Sequence, residues 1–405
     1  MQIQVVDQVM GAGKTSAIIN MINDSDDDTR FIYITPYLTE VTRIKEQCLD
    51  KNFKEPQDMG TKLRGLKYLL KNKINIVSTH ALFQNFDDEA IALAYENNYI
   101  LIMDEVADVI APYKITSYDL EVIFEKYVHI DDGYKMVWDD VNYDGKFNEI
   151  KHLCELGCMG YYNNQIILWL FPIKTFEAFN HIYILTYMFS GQMQKYYYDY
   201  YNVKYEYLYV KNENNKYLLT NEKQKTNSIY NYSELIQICD KEAVNRIGDT
   251  KYSLSTKWYE ASVNNGLLIK LKNNCCNYFK NIAKSKSQNN LWTTFKDYQK
   301  QLSGKGYSKG FIPLNLRATN EYRDRNTLAY LVNRFMNPNV KNFFTKNKIV
   351  VDEDSYALSE MLQWLWRGAI RDGNPINVYI PSKRMRDLLI KWIEEQELKE
   401  DYNND

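Results

Sequence analysis

With 405 residues the chain is long enough for two or three domains with cores of their own, and 45% apolar and 25% charged residues are the make-up of an ordinary soluble globular protein. Its longest apolar run, residues 166–173 (IILWLFPI), is too short to cross a bilayer, and the first residues run straight into a predicted strand, so the expectation is a cytoplasmic protein without a leader. A net charge of −2 neither announces nor excludes a nucleic-acid binder, because binding needs a local basic groove and not a basic average.

In chain order, strand-like runs rich in Ile, Val and Tyr lie at 3–6, 31–35, 74–78 and 99–103. Helix-like runs fall between them, at about 15–22, 40–49, 62–70 and 89–96. Such alternation predicts an α/β fold with a parallel sheet covered on both faces. The acidic run DSDDD at 24–28 has no apolar periodicity and reads as a solvated loop. His152, Cys154 and Cys158 stand close together, but the C-x₃-C spacing is unusual for zinc and no second pair follows. Buried or free thiols are the preferred reading.

Near residue 195 the texture changes. KYYYDYYNVKYEYLYVKN is almost wholly tyrosine and polar residues, and Tyr205, Tyr207 and Tyr209 alternate as one face of a strand would. Tyrosine is frequent throughout, at 35 residues, beside abundant Asn and Lys, which points to an AT-rich coding sequence. Strand packing is therefore preferred over a base-stacking platform for this cluster. A second α/β pattern begins near 257, with strands at 290–295, 311–318 and 376–380. It includes a helix-like stretch at 358–370, a turn at Asp372-Gly373 and a closing amphipathic helix to about 397. The predicted division is a first domain at 1–194, a connector at 195–256 and a second domain at 257–405.

Two short segments carry chemistry. After the first strand, Gly11, Ala12 and Gly13 form a small flexible loop, followed by Lys14, Thr15, Ser16 and a helix. Small residues let backbone N–H groups approach phosphate, and the helix N-terminus favours anionic oxygens. Lys14 would neutralise the outer phosphates of ATP, and the Thr15 hydroxyl would coordinate Mg²⁺. Gln8 stands where the phosphate-loop pattern has its first glycine. About 90 residues further on, the apolar strand YILIM ends in Asp104 and Glu105. The first carboxylate suits Mg²⁺, and the second can polarise an attacking water.

These segments resemble superfamily 2 helicases. Gln8-Val9-Met10-Gly11-Ala12-Gly13-Lys14-Thr15 resembles their motif I, A-x-x-G-x-G-K-T, and Asp104-Glu105-Val106-Ala107 resembles their DExx box, in a form similar to that of viral origin-binding helicases. The resemblance continues in order. Ile34-Thr35-Pro36-Tyr37 is similar to motif Ia, Val77-Ser78-Thr79-His80 to the segment that touches the nucleic-acid backbone, and Ile184-Leu185-Thr186-Tyr187 to the end of motif III without its S-A-T. Trp292-Thr293-Thr294-Phe295 suits motif IV, Arg317-Ala318-Thr319-Asn320 motif V, and the stretch from Gln363 to Arg371 motif VI. Ser190-Gly191-Gln192 faintly resembles the superfamily 1 motif III, and no room precedes the loop for the adenine-reading Q motif.

The resemblance implies two RecA-like parallel-sheet domains in tandem, binding ATP and Mg²⁺. Gly11, Ala12, Gly13, Lys14, Thr15 and Ser16 would hold the nucleotide from one side and Gln363, Arg367 and Arg371 from the other. Thr15 and Asp104 would hold the metal, with Lys14, Glu105, Arg367 and Arg371 catalytic. Thr35, Pro36, Thr79, His80, Thr319 and Asn320 would contact nucleic acid. In motif VI the second arginine follows the glutamine by eight residues rather than seven. On one continuous helix all three side chains would share a face, and both arginines could reach one triphosphate only if the helix loosens near Gly368 or ends before Gly373. Arg371 is expected to reach phosphate, and Arg367 to hold an acidic group or assist from further away. The implied partners are single-stranded or forked nucleic acid, DNA by preference, and replication proteins in a viral or phage setting, in the host cytoplasm and without a membrane. Two other classes fit a phosphate loop with a second domain: a phage packaging terminase ATPase, and a nucleotide-dependent adaptor or helicase loader.

Overall fold

A computed structural model of the protein describes residues 1–36, 38–162, 166–223, 230–314 and 321–401, the side chains of residues 38 and 398–401 excepted. The chain forms two compact units. The first comprises residues 1–9, 13–222 and 337–351; the second comprises 10–12, 223–336 and 352–405.

The first unit is built on β1 (Gln2–Asp7), β2 (Phe31–Thr35), β3 (Ile76–Thr79) and β4 (Ile100–Asp104), the four strands expected from sequence. Between β4 and the next strand of that sheet lies an insert of five short strands: β5 (Ile110–Pro112), β6 (Val128–Asp131), β7 (Lys135–Trp138), β8 (Met159–Tyr162) and β9 (Ile166–Leu170). They pair antiparallel in the order β5-β9-β8-β7-β6. Their core gathers Ile123, Met136, Trp138, Phe147, Ile150 and Ile167. Cys154 and Cys158 are buried here, and burial pushes each thiol up to about 12, so they behave as apolar packing groups.

The chain then returns through β10 (His181–Thr186), β11 (Tyr205–Glu213) and β12 (Lys216–Thr220), completing a seven-stranded sheet in the order β12-β11-β1-β10-β4-β2-β3. Every pair is parallel except the β11–β12 hairpin. All five residues of β2 are buried, as a strand covered on both faces requires. Helix α1 (Lys14–Asn23) buries Ala17, Ile18, Ile19 and Ile22, and α2 (Leu38–Gln47) buries Val41 and Ile44 against the same core. Residues 337–351 also belong to this unit. Their helix, Pro338–Lys346, sets Phe343 against Tyr162 and Tyr200, with ring centroids 4.8 and 4.9 Å apart, and Phe344 against Tyr196 at 5.7 Å.

The second unit carries β13 (Ile236–Ile238), β14 (Asn290–Thr293), β15 (Thr327–Tyr330) and β16 (Ile376–Tyr379), a parallel sheet in the order β13-β16-β15-β14. Trp292, Tyr278, Tyr307 and Tyr379 fill one face of it. The molecule is thus two parallel α/β units in tandem, the RecA-like class.

Two expectations are corrected. Residues 195–256 are not a separate connector, because β11 and β12 extend the first sheet and β13 the second. Of the strand placed at 311–318, the described residues 311–314 form only an isolated bridge between Phe311 and Trp292, and residues 315–320 lie outside the described residues. The strand that pairs with β14 is β15. The insert strands went unseen because runs of three to five residues mixed with tyrosine carry little periodicity.

Candidate nucleotide site at the carboxyl edge of the first sheet

Strand register brings the polar groups together. Asp7 pairs with Thr186, Asp104 with Leu185, and Thr35 with Thr79, so the carboxyl ends of five parallel strands share one edge. Ligands of open α/β sheets bind outside that edge.

From β1 the chain enters the loop 8–13 and then α1. Gly11 and Gly13 have φ of 89° and 84°, the left-handed region that glycine adopts without penalty. Gly13 caps α1, and a Cβ there would also run into the Tyr217 ring of β12. Gln8 is 7% exposed. Its side-chain oxygen accepts from Val210 N at 2.9 Å, and its own N–H donates to Thr186 O at 3.1 Å. The residue in the glycine position is thus turned toward β11. Lys14 Nζ donates to Gln8 O at 2.6 Å and Val9 O at 3.1 Å, folding its charge over the mouth of the loop. Arg43 of α2 donates to Ser16 Oγ at 3.2 Å.

Beside this loop β4 ends in Asp104. Burial, Glu40 and Glu105 raise its carboxyl to about 7, while the nearby Tyr33 hydroxyl and Lys14 oppose the rise. Glu105 follows at φ 93°, where a residue with a Cβ is strained. Its surroundings over-determine that conformation. Glu105 N donates to Leu185 O at 3.0 Å, and Ala107 N donates to the buried Gln194 Oε1 at 2.8 Å. The Thr186 hydroxyl lies 2.8 Å from Glu105 Oε1 and 2.9 Å from Gln192 Oε1, so one hydrogen serves two acceptors. Asp7 ties the same turn to β1, accepting from Met188 N at 2.7 Å and Phe189 N at 3.1 Å. Burial raises the Asp7 carboxyl, and those two bonds and Lys14 offset part of the rise.

Thr15 and Asp104 are the metal candidates. Among the described residues no three His, Cys, Asp or Glu side chains gather to cage a metal ion. A hydroxyl and a carboxylate beside a glycine loop nonetheless suit Mg²⁺, which keeps several waters and, when it accompanies a nucleotide, shares phosphate oxygens.

The expected nucleic-acid contacts divide. Thr35 is fully buried and His80 is 6% exposed, so both side chains face into the fold. Pro36 and Thr79 are half-buried at the sheet edge, and Thr319 and Asn320 lie outside the described residues. In the second unit the helix breaks ahead of Gly368, close to where both arginines would need it to loosen. The helix Glu353–Leu365 stops at Trp366, Gly368 is extended, and Arg371 sits half-buried on the short turn Ala369–Asp372. Gln363 is half-buried in the last turn of the helix. Arg367 is 7% exposed and donates to Pro313 O at 3.0 Å and Leu314 O at 3.2 Å. Asp372 accepts from Arg323 through both carboxylate oxygens.

The five-stranded insert has counterparts elsewhere. Residues 110–169 match the family model described as the YonV middle domain, and residues 230–393 match the YonV C-terminal Rossmann-like domain. A Bacillus subtilis (strain 168) protein described as SPbeta prophage-derived uncharacterized protein YonV is 41% identical over 410 residues, 98% of this chain and 99% of that one. The chain belongs to the YonV family.

The YonV middle domain coincides with the insert, and the YonV C-terminal model covers all four strands of the second sheet. Lys14, Asp104, Glu105 and Thr186 lie outside both models. Among solved structures, that of S. tokodaii Xpd4 superposes with a TM-score of 0.50 at 13% identity, over 96% of this chain and 94% of that one, and shares the fold. The DUF1998 helicase MrfA bound to DNA and AMPPNP overlaps more weakly, with a TM-score of 0.35 at 10% identity, over 98% of this chain and 48% of its own. No helix among the described residues of this YonV-family chain is long and apolar enough to cross a membrane.

Sequence reasoning missed Asp7, Tyr33, Glu40, Arg43 and Gln194 at this edge. Asp7 had a signal, since a carboxylate that ends a buried apolar strand needs a partner. Glu40 and Arg43 had one too: a charged pair three residues apart on a helix that leaves the carboxyl edge.

Proposed function

We propose that this YonV-family protein is an ATP hydrolase that works on nucleic acid, a superfamily 2 helicase or translocase acting on DNA in phage replication. One observation carries the reading. Glu105 is held at a strained φ on the sheet edge that carries the glycine loop and Lys14: β10 offers the Leu185 carbonyl to its N–H and the Thr186 hydroxyl to its carboxylate, and the buried Gln194 amide fixes Ala107 two residues on. Strain kept in place by so many contacts is the mark of a positioned catalytic group.

In this reading Gly11, Ala12, Gly13 and Ser16 line the phosphates, and Lys14 leaves the Gln8 and Val9 carbonyls for phosphate oxygens. Thr15 and Asp104 would hold Mg²⁺, which when bound neutralises charge on the transferred phosphate. Glu105 orients and deprotonates the attacking water, and Thr186 keeps Glu105 aimed. Arg371, with Gln363 near it in sequence, is the candidate for an arginine that steadies the developing charge. Pro36 and Thr79 are the described edge residues with surface to offer a phosphate backbone. The prophage origin of the Bacillus relative supports the phage setting.

The test is ATP turnover across single-stranded DNA, forked DNA, duplex and RNA, at several salt concentrations, with a nuclease assay beside it. Stimulation by a single strand that weakens steeply with salt is the expected result. DNA cleavage would favour a packaging terminase, and turnover indifferent to every polymer would favour an adaptor.

A further inference from the structure

Helix α2 starts just after β2 and carries Glu40 in its first turn, over the same sheet edge as Asp104. The Glu40 side chain is 12% exposed. Its Oε2 lies 3.3 Å from Arg43 Nη1, and Arg43 Nη2 lies 3.2 Å from Ser16 Oγ in the first turn of α1. A chain of contacts thus runs from the phosphate-loop helix through Arg43 to Glu40. Below it Tyr33 is fully buried; its hydroxyl has no well-formed hydrogen bond but interacts with the Asp104 carboxylate, and Glu40 acts on both groups. Two nearly buried carboxylates with that hydroxyl facing Asp104 make a polar recess suited to a hydrated cation.

We propose that Glu40 is a positioning residue for the divalent cation: with Asp104 it orders the water shell of the Mg²⁺ that enters with nucleotide, and Arg43 shields Glu40 until then. The proposal rests on the ATPase reading above. Magnesium dehydrates reluctantly and takes one or two carboxylates directly, so a carboxylate at water distance is better matched to it than another direct ligand. The Tyr33 hydroxyl can donate to either carboxylate as the shell forms. Loss of a partner in this outer layer typically weakens metal binding by about tenfold or more.

The experiment measures binding of a fluorescent, non-hydrolysable ATP analogue against free Mg²⁺, on variants whose melting curves match the parent. Glu40→Gln is expected to raise the Mg²⁺ needed for half-maximal binding by about tenfold, leaving metal-free binding unchanged or slightly tighter. Arg43→Gln should shift the requirement the opposite way, since Glu40 is then unshielded. If Glu40→Gln does not fold, Glu40→Asp should give a smaller shift of the same sign. An unchanged Mg²⁺ requirement at Glu40 overturns the proposal, and a raised one at Arg43→Gln overturns the shielding. A parent whose nucleotide binding ignores Mg²⁺ would instead overturn the ATPase reading itself.

Discussion

The carboxyl edge of the first sheet and the arginine segment of the second unit were expected to be equal halves of one machine, yet they are built on opposite principles. The first edge is under tension. Glu105 and Met188 have φ of 93° and 57°, and the Asp7 and Asp104 carboxyls are both raised by burial. The second segment is relaxed. Arg367 is buried against two carbonyls, and Asp372 is paired with Arg323. Strain and poorly solvated charge persist only where something over-determines them, whereas a satisfied buried arginine is part of the framework. Chemistry should therefore depend on the strained edge of the first region and on the half-buried Arg371, and stability on Arg367.

The largest expected effect is at Lys14. Lys14→Ala should lower ATP turnover by more than about a thousandfold with an unchanged melting curve, because electrostatic positioning dominates phosphoryl transfer. Near-normal turnover would make the loop structural and break the contrast. The arginines come next. Arg371→Ala should lower turnover roughly a thousandfold, the range of arginine fingers, and leave the melting temperature alone. Arg367→Ala should strand two carbonyls, cost about 2 kcal/mol, and lower the melting temperature by several degrees. Exchange of these two outcomes would move the catalytic arginine to Arg367.

Glu105→Gln should retain nucleotide binding, measured by equilibrium titration, and lose about a hundredfold in turnover. Loss of binding itself would reassign Glu105 from base to nucleotide ligand. The smallest effect concerns Asp104 in Mg²⁺-free buffer. Its folded pKa lies near 7, above the ordinary 3.8, so the folded state is favoured while the carboxyl is protonated. That contribution is complete at low pH and is lost as pH rises from about 4 through 7. Asp104→Asn should match the parent melting temperature near pH 4 and exceed it by a few degrees at pH 8. A difference that does not grow with pH would mean the edge carries no such tension.

The parts of the fold legible in the sequence were those written locally. The strands β1 to β4 are apolar runs bounded by turns, and Gly13, Lys14 and Asp104 follow them directly. The bonds that make the site are not local. Gln8 meets Val210 across 202 residues, Asp7 meets Met188 across 181, and Thr186 meets Glu105 across 81. No periodicity records such pairings, so Gln8 read as a departure from the phosphate-loop pattern when it is a bracket between strands. The same holds for Arg367, whose spacing matched a motif while its environment decided its partners. Tyr196, Tyr197 and Tyr198 are buried, in keeping with packing for the tyrosine cluster, but they belong to the helix Met193–Tyr200 and not to a strand.

The helix Pro338–Lys346 makes the gene indivisible at its most obvious seam. Residue 222 closes the long stretch of the first unit, so a cut there is the natural way to express the two units as separate polypeptides. Such a cut would leave Val340, Phe343 and Phe344 on the wrong product, without cover, and would leave Tyr162, Tyr196 and Tyr200 bare on the other. Two matching aromatic patches would then face solvent, and both fragments would be prone to stick to themselves or to each other. Truncation, circular permutation and module exchange must therefore carry residues 337–351 along with the first unit.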